Sequence, residues 1–286
     1  MKNMKLSCIV RTILLKSLSS ILLLRKKIIW FLQYKRLPKG YIKANEFKFA
    51  YDDKILIIVP HADDELIGTY EIIKKYKYNV ELFYCAYTGS NSSKENCNTR
   101  LYEFKQFCEQ FNIRYTVAST DIQTSLNEKI IQYSPNYIFI PSFIDWHEEH
   151  IKVNELMLNS VEALYNIVLY QISVPIYSEI INYYIPMHKK EHKSKWKDFY
   201  NIYVSQRSIP FTRFMYNEMI NRIDGETYAS EVFTLLKYSD WKKLFLNFQQ
   251  QKENIDLNTL KSSINDLIEV RNQAKQIYKL IELRDE

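Results

Sequence analysis

The chain has 286 residues, 47% of them hydrophobic, enough for one large domain with appendages or two smaller ones. Only four glycines occur, with neither a G-x-G-x-x-G nor a Walker A string, so glycine-rich phosphate loops are excluded. The net charge of +6 is uneven: residues 1–45 hold eleven Lys or Arg and no acid, and the remainder holds 28 basic against 33 acidic residues, a net of −5. A nucleic-acid-binding body needs a basic face on the fold itself, so that class is excluded too.

The N-terminal segment comes first. Its apolar groups, 8–10, 13–15, 21–24 and 28–32, are interrupted by Arg11, Lys16, Arg25, Lys26 and Lys27. No charge-free run reaches the ~20 residues of a spanning helix, and no small-residue cleavage site follows, so neither a transmembrane helix nor a signal peptide is expected. A basic helix with Trp30 and Phe31 near its end reads as an interfacial anchor on anionic lipid. Packing on the protein's own body or on a partner is the alternative. Residues 37–40 read as a linker. The four cysteines form no C-x-x-C pair and indicate neither a zinc finger nor a disulfide framework, which fits a reducing cytosol.

Residues 54–59 form a short, β-branched apolar block that reads as a buried parallel strand, ended by Pro60. His61, Asp63, Asp64 and Glu65 follow at once, where a strand feeds a helix. Ligand sites in open α/β sheets lie at the carboxyl ends of strands. His61 and Asp64 can turn toward one point there, and an imidazole with a carboxylate suits Zn²⁺ or another borderline divalent metal. Asp63 beside them could take a proton from the attacking water, with Glu65 the next candidate. The competing reading is a helix N-terminus, whose dipole also favours acids.

The pattern then alternates. A helix is expected over 65–77, a strand over 80–87, a polar loop above the site over 91–98, and a helix over 100–111. A strand over 115–118, a helix over 121–133 and a buried strand over 137–140, stopped by Pro141, come next. Strands alternating with helices indicate a parallel sheet covered on both faces. After the last strand, His147 and His150 stand three apart. His61, Asp64 and one of these histidines would make a three-ligand site with a position left open, the mark of a catalytic metal. Further on, strands are expected over 167–173 and 180–185 and a helix over 193–203. His188 and His192, in Lys-rich surroundings, read as surface residues. From Trp241 onward the spacing predicts two amphipathic helices broken near 254–258.

On these residues the chain resembles the PIG-L/LmbE family of metal-dependent N-acetylglucosaminyl deacetylases. The family strings P-H-P-D-D-E and H-P-D-H read here as Pro60-His61-Ala62-Asp63-Asp64-Glu65 and His147-Glu148-Glu149-His150. An R-x-x-E helix is matched by Arg100 and Glu103, a later S-Q by Ser205 and Gln206, and a Y-A-x-E-x-F-like string loosely by residues 228–233. The likeness covers residues 50–236. It implies an α/β fold, a Rossmann-like three-layer sandwich with a mainly parallel sheet. It also implies His61, Asp64 and His150 as ligands of Zn²⁺ (or Fe²⁺), Asp63 as general base, His147 as the group steadying the tetrahedral intermediate, and Arg100 as a substrate contact. Ala62 replaces a proline, Glu148 and Glu149 replace Pro-Asp, and Gly68 alone remains of the glycines after the first motif. Glu149 is one methylene longer than the family's Asp, which bears on how it orients a histidine.

The expectation is therefore a zinc-dependent N-deacetylase of an N-acetylated amino-sugar conjugate, cytoplasmic and peripheral at the inner membrane face, in surface-glycan or glycolipid synthesis. Its expected parts are a basic segment (1–45), a deacetylase domain (46–238) and a helical appendage (239–286). No nucleic-acid partner is expected, and a homo-oligomer is compatible with the sequence. The rival expectations are a catalytically idle glycan- or partner-binding member of the fold, and a membrane-docked scaffold.

Overall fold

The computed structural model describes residues 21–37, 43–87, 93–161, 165–223 and 227–282; the first part of the expected anchor (1–20) and most of the linker lie outside them. In chain order the elements are α1 (21–36), β1 (Asn45–Glu46), β2 (Ile55–Val59), α2 (Asp64–Lys75), β3 (Val80–Tyr84), α3 (Lys94–Phe111), β4 (Arg114–Val117), α4 (Ile122–Tyr133) and β5 (Tyr137–Pro141). Then come α5 (Glu148–Leu158), β6 (Asn166–Tyr170), β7 (Tyr183–Met187), α6 (Lys189–Ile202), α7 (Phe211–Ile220), β8 (Ala229–Lys237), α8 (Tyr238–Gln251), α9 (Leu257–Ser263) and α10 (Glu269–Ile281).

The eight strands form one sheet in the order β1-β7-β8-β6-β5-β2-β3-β4. β2 is apolar throughout and buried throughout, because both of its faces are covered. Ile55, Ile57 and Val59 point into a core shared with α2, α3, α6 and α7; Leu56 and Ile58 point into the opposite core, shared with α4, α5, α8, α9 and α10. The result is a three-layer α/β sandwich of Rossmann-like type. β2 pairs in parallel with β3 on one side and with β5 on the other, so the chain winds away from β2 in both directions. The carboxyl ends of β2 and β5 therefore flank a topological switch point, where such sheets bind ligands. β8 runs antiparallel between β6 and β7, and the sheet is mostly parallel.

Three expectations change. Residues 94–98 are not loop but the first turns of α3: Ser93 accepts from the Asn96 amide through Oγ at 3.2 Å and starts the helix there. The strand expected over 180–185 begins only at Tyr183, after a single 3₁₀ turn at Ser178–Ile180. The C-terminal region holds three helices rather than two. Asp256 caps α9, and Asp266 Oδ1 accepts from the amides of Ile268 and Glu269 at 2.9 Å, making a second break before α10.

The C-terminal helices fold back on the sheet, with Trp241, Phe245, Phe248, Leu260, Val270 and Ala274 in the core. α1 in turn docks on α7 and on the turn between α9 and α10. Trp30 is fully buried with Ile220 and Leu267, and its Nε1 donates to the Asn265 carbonyl at 2.7 Å. Trp30 is thus withdrawn from any lipid contact, contrary to expectation, because its indole N–H needs a partner that the body supplies. No helix among the described residues is long and apolar enough to cross a membrane.

Gly68 sets the depth at which α2 sits. A Cβ there would lie 2.3 Å from Tyr170 Cδ2, and Tyr170 is itself fixed by donating to the Ile58 carbonyl at 2.7 Å. Gly68→Ala is expected to force α2 away from the sheet, at a cost of about 1–3 kcal/mol for overpacking. A thermal melt reads this directly; an unchanged melting temperature would show that Tyr170 yields freely.

Candidate metal centre

Both site loops leave the sheet at the switch point. After Pro60 the chain turns sharply: His61 donates its backbone N–H to Asp64 Oδ2 at 3.0 Å, and Asp63 takes φ 123°. A non-glycine residue in that region is strained, and such strain concentrates at functional positions. The turn brings His61 Nδ1 to 3.0 Å from Asp64 Oδ2. From the β5 side, His150 Nε2 reaches 3.4 Å from the same oxygen. One carboxylate oxygen is thus flanked by imidazoles from two strands. Burial opposes the ionisation of Asp64, but the flanking His150 and His61 outweigh it and hold its carboxyl well below the usual range.

His147 completes the cluster. Its ring centroid lies 4.6 Å from that of His61 and 5.0 Å from that of His150. One ligand atom from each of the three histidines falls within 4.8 Å of the other two. Burial, with His150 and His61 alongside, pulls the pKa of His147 down. Its Nδ1 lies 2.9 Å from Glu149 Oε2, so the extra methylene of Glu149 does not keep it from the ring.

Asp145 was not singled out from sequence. Its Oδ2 lies 3.0 Å from His150 Nδ1, and it also accepts the amides of His147 (3.0 Å) and Ser173 (3.3 Å). It is 2% exposed and orients His150 as a carboxylate orients a metal-ligating histidine. Burial works against a cationic His150, yet the carboxylates of Asp145 and Asp64 push its pKa up to about 10. The D-x-H-x-x-H spacing at a strand end was the available signal.

Asp63 lines the cavity, and Arg100 donates to its Oδ1 at 3.1 Å. Burial raises the Asp63 pKa well above normal, against the pull of Arg100. Arg100 therefore holds Asp63 as well as lining the cavity. Glu65 does not line the cavity: it is fully buried behind the wall, accepting from the Tyr203 hydroxyl and, at 3.1 Å, from the Asp63 amide. Two of the three weaker motif matches meet each other, since Ser205 donates to Glu103 from both its amide (2.7 Å) and its Oγ (2.6 Å).

α2 is held from behind. Lys195 is fully buried and donates to the Ile67 carbonyl at 2.8 Å, to Glu218 at 2.5 Å and to Glu231 at 2.6 Å. His192, expected at the surface, is fully buried, with Nε2 2.9 Å from Glu218. The carboxylate it meets there explains why an imidazole is tolerated inside; His188 is exposed as expected.

The donor set fits a borderline divalent metal. Among the described residues His150 Nε2 is buried without a hydrogen-bond partner, beside an ionised carboxylate. Buried polar atoms without partners are costly, and a cation would satisfy them. The cavity above measures about 600 Å³ and is walled by both site loops, α3, the 205–214 region and Ile264 of the C-terminal helices.

No protein-family model and no curated protein matches the chain. Solved structures do match its fold. A triple mutant of a deacetylase of the teicoplanin biosynthetic pathway aligns at TM-score 0.50 and 11% identity, over 65% of this chain and 99% of its own. The A40926 pseudoaglycone deacetylase Dbv21 aligns at TM-score 0.50 and 13% identity, over 65% of this chain and 98% of its own. At these identities the likeness establishes the fold.

If Asp145 orients His150, Asp145→Ala should weaken zinc binding about 10- to 100-fold. Competition against a chromophoric chelator measures this, and unaltered affinity would remove Asp145 from the centre.

Proposed function

We propose that the chain is a metal-dependent hydrolase that removes the N-acetyl group of an amino-sugar conjugate, a member of the PIG-L/LmbE group. The observation that carries this reading is the single oxygen of Asp64 flanked by His61 and His150, at 3.0 and 3.4 Å, beneath an open cavity. The likeness in fold to two proteins described as deacetylases supports it. His61, Asp64 and His150 would hold Zn²⁺ or Fe²⁺. When bound, such an ion polarises an amide carbonyl and acidifies water.

The chain's own residues do the rest. Asp63, free on its cavity side and steadied by Arg100, accepts the proton of the attacking water and passes it to the amide nitrogen as the C–N bond breaks. His147, held at Nδ1 by Glu149, presents its other nitrogen to the carbonyl, and when protonated there it would offset charge gathering on oxygen. The products are acetate and a free amine. Arg100 contacts the substrate from the same wall. A catalytically idle protein would not need a strained, buried Asp63 pointing at the cavity.

Asp63→Asn should keep the metal and lower turnover by on the order of 10²-fold or more. His147→Ala should also keep the metal and lose turnover, whereas Asp64→Ala should lose the metal. Metal content and acetate release from a panel of N-acetylhexosamine conjugates read these out. Retention of metal by Asp64→Ala with its loss from His147→Ala would make His147 the third ligand instead.

We also propose that α1 rests on an anionic membrane surface in the cytoplasm, with segment 1–45 serving as the anchor, 46–238 as the catalytic unit and 239–286 as a helical appendage that shares the seat of α1 with α7. Trp30 and Tyr34 face the body, while Ile21, Leu22, Leu23, Leu24, Ile28, Ile29, Phe31 and Leu32 are 40–63% exposed among Arg25, Lys26, Lys27, Lys35 and Arg36. A polar partner would leave that apolar face wet, whereas a lipid headgroup layer takes both it and the charge. The protein should sediment with anionic vesicles at low salt and release at high salt. No sedimentation at any salt would transfer this face to a protein partner.

A further inference from the structure

The cavity wall holds a second cation, Arg213, that makes no ion-pair contact with a carboxylate among the described residues. Arg213, in the first turn of α7, is 3% exposed and lines the cavity. Its guanidinium donates to the Ile264 carbonyl at 2.6 Å and lies 4.5 Å from the centroid of the Phe214 ring, so it is held in place. Its Nε is buried without a partner. Among the described residues it makes no ion pair. Asp145, whose charge it feels, is already committed to His150 and to two amides. Arg100 differs: Asp63 neutralises it at 3.1 Å.

Two further features add positive potential at the same place. Arg271 of α10 packs behind, close enough that Arg213 lowers its pKa after burial has done so. It donates to Asn217 Oδ1 at 2.8 Å and to the Leu267 carbonyl at 3.0 Å, and one of its terminal nitrogens has no partner. The first turn of α7, the positive end of its dipole, carries no acidic residue and contributes Pro210, Arg213 and Phe214 to the cavity wall. Buried cations are kept where something pairs with them. Here the protein supplies two guanidiniums and a helix start, and among the described residues no carboxylate in ion-pair contact with either guanidinium.

We propose that Arg213, backed by Arg271 and the α7 N-terminus, is an anion subsite that binds a phosphate group on the substrate's carrier. Two buried cationic side chains call for a multiply charged anion, which favours phosphate over a single carboxylate. This rests on the deacetylase reading for the word substrate, but the anion site itself does not. It divides the cavity: the centre between β2 and β5 receives the N-acetyl group, and the wall built by α7 and Ile264 receives the phosphate. It also gives the C-terminal helices a part in specificity, since Ile264 and Arg271 belong to them.

The test has two arms. In the first, inorganic phosphate is titrated calorimetrically into the full-length protein. One site is expected, weakened about tenfold or more in Arg213→Gln by loss of a charge-assisted contact and partly restored in Arg213→Lys. In the second, N-acetylglucosamine 1-phosphate is compared with the uncharged methyl glycoside. The wild type should favour the phosphorylated sugar in kcat/KM, and Arg213→Gln should lower that preference at least about tenfold, mainly through KM. Phosphate binding without acetate release from any sugar would keep the anion site and remove the deacetylase reading. Acetate release with no phosphate binding, or with equal kcat/KM for both sugars in the wild type, would remove the anion site. A preference shown instead for a carboxylate-bearing sugar would overturn the assignment to phosphate. The wild-type measurements stand even if Arg213→Gln fails to fold.

Discussion

One carboxylate oxygen joins the two halves of the site. Asp64 Oδ2 lies between His61 Nδ1 and His150 Nε2, and those rings arrive from the ends of β2 and β5. Three like-acting bases packed together are unfavourable without a charge to organise them, and Asp64, held ionised by the flanking rings, supplies it. The arrangement needs β2 and β5 to be adjacent and parallel, which the double winding of the sheet from β2 provides. It also needs the tight turn after Pro60, which leaves Asp63 at φ 123°.

Much of the remaining structure holds that geometry. Asp145 fixes the far side of His150 while tying the β5 loop to Ser173. Glu149 fixes His147, Arg100 fixes Asp63, and Tyr203 with the Asp63 amide keeps Glu65 off the cavity. Lys195, Glu218 and Glu231 form a buried charge network that reaches the Ile67 carbonyl of α2. Such a network adds little net stability over apolar packing, but it specifies one position for the helix that carries Asp64. Gly68 allows that helix to approach Tyr170.

The fold was legible where local chemistry dominates. The apolar blocks that became β2, β3 and β5, with a proline closing two of them, are fixed by side chains a few residues apart, and both metal motifs sit on the loops that follow. Asp145 was readable in principle from its spacing to His150. What was not legible depends on residues far apart in sequence. Tyr203 meets Glu65 across 138 positions, and Ser205 meets Glu103 across 102. His192 sits in a Lys-rich stretch that looks solvated until Glu218 arrives from α7. The start of α3 reads as loop because polar residues at a helix beginning resemble a turn, and Ser93 caps where a turn would continue. Trp30 looked like a membrane residue until the Asn265 carbonyl came to meet it.

The central claim is that His61, Asp64 and His150 hold one divalent metal ion at the switch point. Anomalous diffraction at the zinc edge, from crystals of the zinc-loaded protein, tests it most directly. The expected result is one strong peak at about 2.0–2.2 Å from a donor atom of each of these three residues, with room above it in the cavity. A peak held by other residues, or none at full zinc occupancy in solution, would contradict it.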